Sequence, residues 1–157
     1  MVILALDVGD VRIGLAVSDE TELLATPRGV IRRRSDAAAI EAIARTVAET
    51  GAAQVVVGLP VSFDGQLHAQ AQAVQRFAAK LGARLALPLI FADETLSSVR
   101  AEEQLRAAGV RAEKMRERID AAAAAIILQD YLDARRPPAV PRASDADESA
   151  SPLANGH

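Results

Sequence analysis

Apolar residues recur along this chain with two spacings, one typical of buried strands and one of helices packed on a sheet. Five segments have the length and composition of strands: residues 2–7, 13–17, 23–32, 54–59 and 85–92. The second alternates large and small apolar side chains, and Pro27 makes the third an irregular or edge strand. The pattern therefore predicts a five-stranded sheet.

Four helices are predicted between and after these strands. They are expected at residues 36–50, 67–81, from 95 or 97 to 108, and 119–133. Ser35 can cap the first helix, and Gly51, Gly82 and Gly109 are expected to end the first three. Residues 110–118 are polar and basic, and we expect them to form a mobile segment before the last helix.

The order of these elements predicts the topology. The first three strands follow one another across short connections, which favours antiparallel pairing. The later strands alternate with helices, which favours parallel pairing and a sheet covered by helices. We therefore predict an α/β fold with a mixed five-stranded sheet, antiparallel over its first three strands and parallel over the later ones, flanked by helices.

The composition indicates one folded domain followed by a tail. The chain has 157 residues, 50% of them hydrophobic and only 3% aromatic, which is enough for one aliphatic core. From residue 136 onward, prolines, serines and acidic residues leave little to bury. We expect a folded domain over residues 1–135 and a disordered C-terminal tail over residues 136–157.

Acidic residues occur at three places where buried apolar residues would be expected. Asp7 ends the first strand, Asp93 and Glu94 end the fifth, and Asp120 opens the apolar face of the last helix. The carboxyl ends of parallel strands meet at one edge of a sheet, so these side chains are expected to converge. Because converging carboxylates repel one another, we predict a cation site for metal-assisted hydrolysis of phosphodiesters.

Each acid also has a purely structural explanation when it is taken alone. Asp7 can begin the turn at Gly9, Asp93 can cap the next helix, and Asp120 gains from the dipole of a helix N-terminus. Gly9 itself either lets a ligand approach the backbone or merely permits the turn. The combination favours one common site.

The composition also restricts the metal and the location. The chain has no cysteine and two histidines, so thiolate and histidine-rich zinc sites are not expected, and carboxylate oxygens favour Mg²⁺ or Mn²⁺. Neither a signal peptide nor a membrane-spanning run is recognisable, so we expect a cytoplasmic protein with no membrane partner.

Basic residues are clustered although the formal net charge is -3. One cluster comprises Arg28 and residues 32–34, and the other comprises Arg111, Lys114, Arg116 and Arg118. Each is either a nucleic-acid contact or an ordinary solvated face.

Four segments in a fixed order carry a family resemblance over residues 2–134. They are Leu6–Gly9 with Arg12–Ala16, Val57–Pro60 with Asp64–Gly65, Asp93–Ser98, and Ile119–Ala123 with Ile127–Leu132. In these segments the chain resembles the YqgF/RuvX family of RNase H-like, Holliday-junction-resolvase-like proteins. The resemblance implies an RNase H-like fold and a metal-dependent nuclease that processes the precursor of 16S ribosomal RNA, with junction resolution on DNA as an alternative.

The resemblance also implies particular residues and partners. The acidic positions of the family are matched by Asp7, Glu94 and Asp120. These three are the implied catalytic residues and ligands of Mg²⁺ or Mn²⁺, and Asp93 is expected to lie behind them without binding the metal directly. Expected partners are structured RNA, rather than branched DNA, and ribosomal precursor particles, with the protein a monomer or homodimer. We expect nucleic-acid contacts from six basic residues: Arg12, Arg100, Arg111, Lys114, Arg116 and Arg118.

The chain departs from the family pattern in two places, and other functions remain open. Thr95 stands where members often have arginine, so a phosphate contact would pass to Arg12 or Arg100. The strand ending at Gly58–Pro60 carries no acid, so one metal, or two only with substrate, is expected. A non-catalytic RNA-binding module for ribosome assembly is the alternative, whereas an actin-like ATPase or kinase would need a second lobe.

Overall fold

A computed structural model of the chain describes residues 1–60, 69–94, 97–109 and 112–135. The strands in this part are β1 (Ile3–Val8), β2 (Arg12–Ser18), β3 (Ala25–Arg32), β4 (Gln54–Leu59) and β5 (Leu89–Asp93). The helices are α1 (Asp36–Thr50), α2 (Ala69–Leu85), α3 (Ser97–Ala107) and α4 (Ala112–Arg135). The segment with Asp64–Gly65, Thr95, Arg111 and the predicted tail at residues 136–157 lie outside the described residues.

The strands form one mixed sheet in the order β3-β2-β1-β4-β5. Strands β1, β2 and β3 pair antiparallel, whereas β1, β4 and β5 run parallel. The predicted mixed α/β sheet is therefore confirmed. The carboxyl ends of β1, β4 and β5 meet at one edge, which we call the parallel edge.

One face of the sheet carries large apolar side chains. Leu4 and Leu6 of β1 and Val57 of β4 are fully buried on this face. They pack in one cluster with Ile43 of α1 and Phe77 of α2. Because burying such a side chain contributes about 1.5–3 kcal/mol, this cluster is the main hydrophobic core.

The opposite face is lined by small residues and is covered by helix α4. Side chains on this face alternate along each strand with those of the main core. Small residues on it are Ala5, Gly14, Ala16, Gly58 and Ala92. Helix α4 packs on them with Ala124, Ile127 and Leu128, which are almost fully buried. Short side chains on the sheet allow the helix backbone to approach closely.

Helix α4 approaches the sheet closely at Gly14 of β2. A Cβ atom at this position would lie 1.9 Å from the carbonyl oxygen of Asp120 and 3.0 Å from the amide nitrogen of Ala121. No side chain fits between β2 and α4 at this point, so packing itself requires glycine. Gly14 pairs directly with Asp7 across the sheet, so the contact brings Asp120 beside the end of β1.

Two predicted boundaries around the second helix are wrong. Helix α2 continues through Gly82 to Leu85, and Ala86, with a φ of 54°, follows it. Leu85 packs against the main core, and its burial outweighs the cost of about 1 kcal/mol for a glycine inside a helix. Strand β5 consequently begins at Leu89 rather than at Leu85.

Helix α4 is longer than its apolar pattern predicts. It begins at Ala112, so residues 112–118 are helical and not the expected mobile segment. This segment lacks an apolar stripe, but alanine, glutamate, lysine, methionine and arginine are strong helix formers. In the described part of the chain, no helix is both long and apolar enough to cross a membrane.

We expect Gly14→Ala to destabilise the protein by about 3 kcal/mol or more, because the added methyl group must push α4 away from β2. Gly82→Ala is the matched control, since the nearest described atom to a Cβ there is Leu89 Cδ1 at 4.0 Å. Removing this helical glycine should stabilise the protein by about 0.5–1 kcal/mol. Urea unfolding measures both changes, and similar stability of the two variants would contradict the close contact at Gly14.

Candidate active site

Asp7 occupies the parallel edge next to the end of β1. It follows Ile3 and Ala5 on the face that α4 covers, and it is partly buried. Burial is the main influence and raises the pKa of Asp7 above its ordinary value. A hydrogen bond with Glu94 offsets part of this shift, and the negative charge of Asp120 raises the pKa further.

Glu94 follows β5 at the same edge and contacts Asp7. Its backbone N–H donates to the carbonyl oxygen of Leu59 at 3.0 Å, which continues the pairing of β5 with β4. Its side chain forms the hydrogen bond with Asp7. The two carboxyl groups therefore lie within hydrogen-bonding distance of each other at the parallel edge.

Gly58 explains why β4, the middle one of the three parallel strands, carries no acid. A Cβ atom at this position would lie 2.6 Å from Cδ1 of Ile127 and 3.2 Å from Oε2 of Glu94. The side chain of Glu94 therefore passes over the glycine on its way towards Asp7. A fourth carboxylate at position 58 would displace both Glu94 and helix α4.

Asp120 enters the site from helix α4. Its Oδ2 accepts a hydrogen bond from Nε of Arg12 at 2.6 Å. The side chains of Arg12 and Asp120 are 26% and 23% exposed, respectively, so the ion pair is partly shielded from water. Arg12 thus places a positive charge directly against one of the acids, and Asp120 remains near enough to Asp7 to raise the pKa of Asp7.

These three carboxylates lie together, but their side chains do not form a preformed metal site. Among the described residues, no three histidine, cysteine or acidic side chains have the spacing needed to hold an ion. Asp120 is paired with Arg12 instead. The donor chemistry nevertheless fits a hard divalent cation, since all the donors are carboxylate oxygens and the partly buried Asp7 is costly to ionise without a nearby cation.

The remaining predicted site residues do not all face the acids. Asp93 ends β5 and is exposed, and alternation along the strand directs its side chain away from the face of Glu94. Arg118 is exposed near the acids and lines a cleft together with Arg12. The side chains of Lys114 and Arg116 lie outside the described part of the chain.

Arg100 does not lie with the acids. Its Nη1 donates to Oδ2 of Asp130 at 2.8 Å in an exposed ion pair between α3 and α4. Asp130 is ten residues beyond Asp120 on α4, or roughly 15 Å along the helix. Of the two arginines considered as substitutes at Thr95, only Arg12 therefore contacts an acid of the site.

Sequence reasoning missed Arg33, which holds the turn beneath Asp7. Its Nη1 donates to the carbonyl oxygen of Gly9 at 3.0 Å, its Nε donates to Asp36 at 3.0 Å, and its guanidinium lies 4.7 Å from the ring centre of Phe77. A Cβ atom on Gly9 would lie 2.7 Å from the carbonyl oxygen of Arg12, so the turn itself requires glycine. The only sequence signal for Arg33 was its place in a basic cluster.

The mixed sheet with its covering helices has the RNase H-like fold of RuvC-like resolvases, and the family and the relatives of the chain make it a hydrolase of phosphodiester bonds. The chain belongs to the RuvX family, whose model, described as Holliday junction resolvase, matches residues 1–134.

Relatives with high identity cover nearly all of the described part of the chain. A protein of Chloroflexus aggregans is 52% identical over 136 residues, which are 87% of this chain and 96% of that protein. A protein of Mycobacterium ulcerans is 46% identical over 134 residues, which are 85% of this chain and 79% of that protein. Both bear the provisional name pre-16S rRNA nuclease.

Solved structures support the fold at lower identity. RuvC of T. thermophilus in complex with a Holliday junction matches with a TM-score of 0.54 and 17% identity, covering 86% of this chain and 96% of that one. The Holliday junction resolvase of fowlpox virus matches with a TM-score of 0.53 and 12% identity, covering 85% of this chain and 99% of that one. At these identities the two structures establish the fold alone.

We expect Asp7→Asn to stabilise the metal-free protein at neutral pH. The raised pKa means that the folded state favours protonated Asp7, so wild-type stability falls as the pH rises from about the ordinary value of 3.8 through the raised pKa. Asparagine is neutral at every pH and its amide can donate to Glu94. Thermal unfolding in EDTA should therefore show a higher Tm for the variant at pH 7.5 and a smaller difference at pH 5.

Asp10→Asn is the matched control for this experiment, because Asp10 lies exposed in the same turn. It should leave the Tm close to that of the wild type at both pH values. A wild type that is at least as stable as Asp7→Asn in EDTA at pH 7.5 would contradict the assigned cost of ionising Asp7.

Proposed function

We propose that this protein is a metal-dependent nuclease in which Asp7, Glu94 and Asp120 hold Mg²⁺ or Mn²⁺. The observation that carries the proposal is the meeting of three carboxyl groups from β1, the end of β5 and α4 at one edge of the sheet. Carboxyl groups from three separate elements supply at this edge the oxygen donors that a hard dication prefers.

The reaction is hydrolysis of a phosphodiester bond. A bond forms between a water oxygen and phosphorus, and the bond from phosphorus to the leaving sugar oxygen breaks. A bound divalent metal lowers the pKa of water and stabilises the charge of the leaving oxygen.

The chain's own residues have distinct tasks in this scheme. Asp7 would help to hold the cation as a carboxylate, and Glu94, which contacts Asp7, would accept a proton from the attacking water. Arg12 exchanges its contact with Asp120 for the non-bridging oxygens of the phosphate, whose negative charge it neutralises. Arg33 keeps the turn after Asp7 in place, so that β1 presents its carboxylate at a fixed position.

We further propose that the substrate is the precursor of 16S ribosomal RNA and that the protein acts in the cytoplasm on ribosomal precursor particles. The name carried by relatives with about half of their residues identical to this chain supports RNA as the substrate. Arg12 and Arg118, near the acids, are the described side chains best placed for contacts with nucleic acid.

Two alternatives have specific support. The family description and the fold shared with RuvC favour resolution of a DNA junction, by a protein that would act as a dimer on a two-fold substrate. The ion pair of Arg12 with Asp120 favours a non-catalytic RNA-binding module, because it neutralises one acid without metal.

The proposal predicts that the wild type cleaves an RNA spanning an end of 16S ribosomal RNA when Mn²⁺ or Mg²⁺ is present, and not in EDTA. Asp7→Asn should lower the cleavage rate by roughly 100- to 1,000-fold, because it removes a charge that acts in the transition state. Asp10→Asn should cleave at the wild-type rate. Cleavage that survives undiminished in Asp7→Asn would refute the site, and preference for a four-way DNA junction would favour the resolvase.

Binding of the cation is expected to be measurable without turnover. Millimolar Mn²⁺ should raise the Tm of the wild type and of Asp10→Asn, since a ligand bound to the folded state stabilises it. The same addition should leave Asp7→Asn nearly unchanged. Equal stabilisation of all three proteins would show that Mn²⁺ binds elsewhere.

A further inference from the structure

A cleft of about 570 Å³ opens beside the acids, between the edge strand β3 and helices α3 and α4. Its rim carries three arginines, Arg12, Arg32 and Arg118, and one acid, Glu117. Sites for small ligands typically occupy about 300–1,000 Å³, so the cleft is large enough for a nucleotide. The balance of charges on its rim favours an anion.

The arginines of the rim are not equivalent. Arg12 is bound to Asp120 at 2.6 Å, so it belongs both to the cleft and to the acidic site. Within the described part of the chain, Arg32 and Arg118 make no ion pair and no side-chain hydrogen bond. Both are exposed at the rim, where their donors are available to phosphate oxygens.

The wall of the cleft is apolar. It is formed by Val30 of β3, Leu105 of α3, and Ala121 and Ala122 of α4. Pro27 lies further along β3. Flat, unpaired bases are recognised by apolar contact and by stacking on guanidinium planes, both of which this wall and rim offer. The paired bases of a duplex cannot reach a recess of this kind.

The cleft continues away from the acids into a second cavity of about 290 Å³. The two cavities share Pro27 and Ala122, so they follow one seam between β3 and the two helices. A single nucleotide would fill only the first, whereas a chain of nucleotides could follow the seam. The occupant that fits is therefore a strand that passes the acids.

We propose that this cleft binds one unpaired nucleotide of the substrate strand, next to the phosphate that is cleaved. Its base packs against Val30 and Leu105, and its phosphate is held by Arg32 and Arg118. Arg12 connects the cleft with the acids, because the same guanidinium faces both. The inference deepens the proposed nuclease function and rests on it for the identity of the strand.

Binding of a fluorescein-labelled single-stranded RNA of about 12 nucleotides, followed by anisotropy in EDTA, tests the cleft without turnover. Arg32→Ala and Arg118→Ala should each weaken binding about tenfold and reduce the slope of log Kd against log salt by about 0.7. Arg28→Ala and Arg106→Ala are the matched controls. Their side chains lie on β3 and α3, where they pair with Glu49 and Glu102 and do not line the cleft.

A second variant tests the position of the base. Val30→Glu places a carboxylate in the apolar wall and should weaken binding of the single strand about tenfold, with much less effect on a duplex of the same sequence. Thermal unfolding of each variant establishes that it is folded, and Arg32→Ala, at an exposed site, keeps the test valid if Val30→Glu unfolds. Equal losses for single strand and duplex would overturn the assignment of a base to the cleft.

The outcomes separate this inference from the proposed function. If the wild type binds through the cleft but cleaves no RNA or DNA with Mn²⁺, the nuclease proposal fails and the cleft remains a nucleotide site. If the wild type cleaves while Arg32→Ala, Arg118→Ala and Val30→Glu bind and cleave like the controls, the cleft assignment is wrong and the nuclease proposal stands.

Discussion

Helix α4 touches strand β2 backbone to backbone, and the arrangement of the site depends on that contact. A Cβ atom at Gly14 would overlap the carbonyl oxygen of Asp120, so the helix lies too near to β2 for any side chain at this position. This proximity places a carboxylate of α4 beside the end of β1. The same helix buries its apolar side on the small-residue face, so packing and placement of Asp120 have one physical cause.

The two faces of the sheet have different roles: one forms the main hydrophobic core, and the other carries the acids. Large side chains against α1 and α2 form the main core, which fixes the sheet itself. The small-residue face leaves room for Glu94 to cross Gly58 and reach Asp7. Charge then limits what the site can hold. Three close carboxylates are stabilised together by a proton, an arginine or a metal ion, and in this structure Arg12 pairs with Asp120.

Much of the fold could be predicted from the sequence, because alternation and helical spacing are local signals. The mixed sheet, Ser35 as the cap of α1 and Gly51 as its end follow from such signals. The end of α2 and the start of α4 could not be read in this way, since tertiary burial of Leu85 and helix propensity in residues 112–118 decided them. The placement of Asp7 and Glu94 at one edge could be predicted from strand order, and their catalytic roles stay a prediction. The partner of Asp120 could not be predicted, because Arg12 lies 108 residues away.

The close packing of α4 on the sheet also restricts where residues can be inserted or deleted. Each residue of an α-helix advances the rotation by about 100°, so one residue inserted between Asp120 and Ala124 would turn the carboxylate away from the sheet while the distal half of the helix stayed in place. Substitutions on the outer surface of α4 leave this rotational registry intact. Helix α4 should therefore tolerate many substitutions on its outer surface but few insertions or deletions near Asp120.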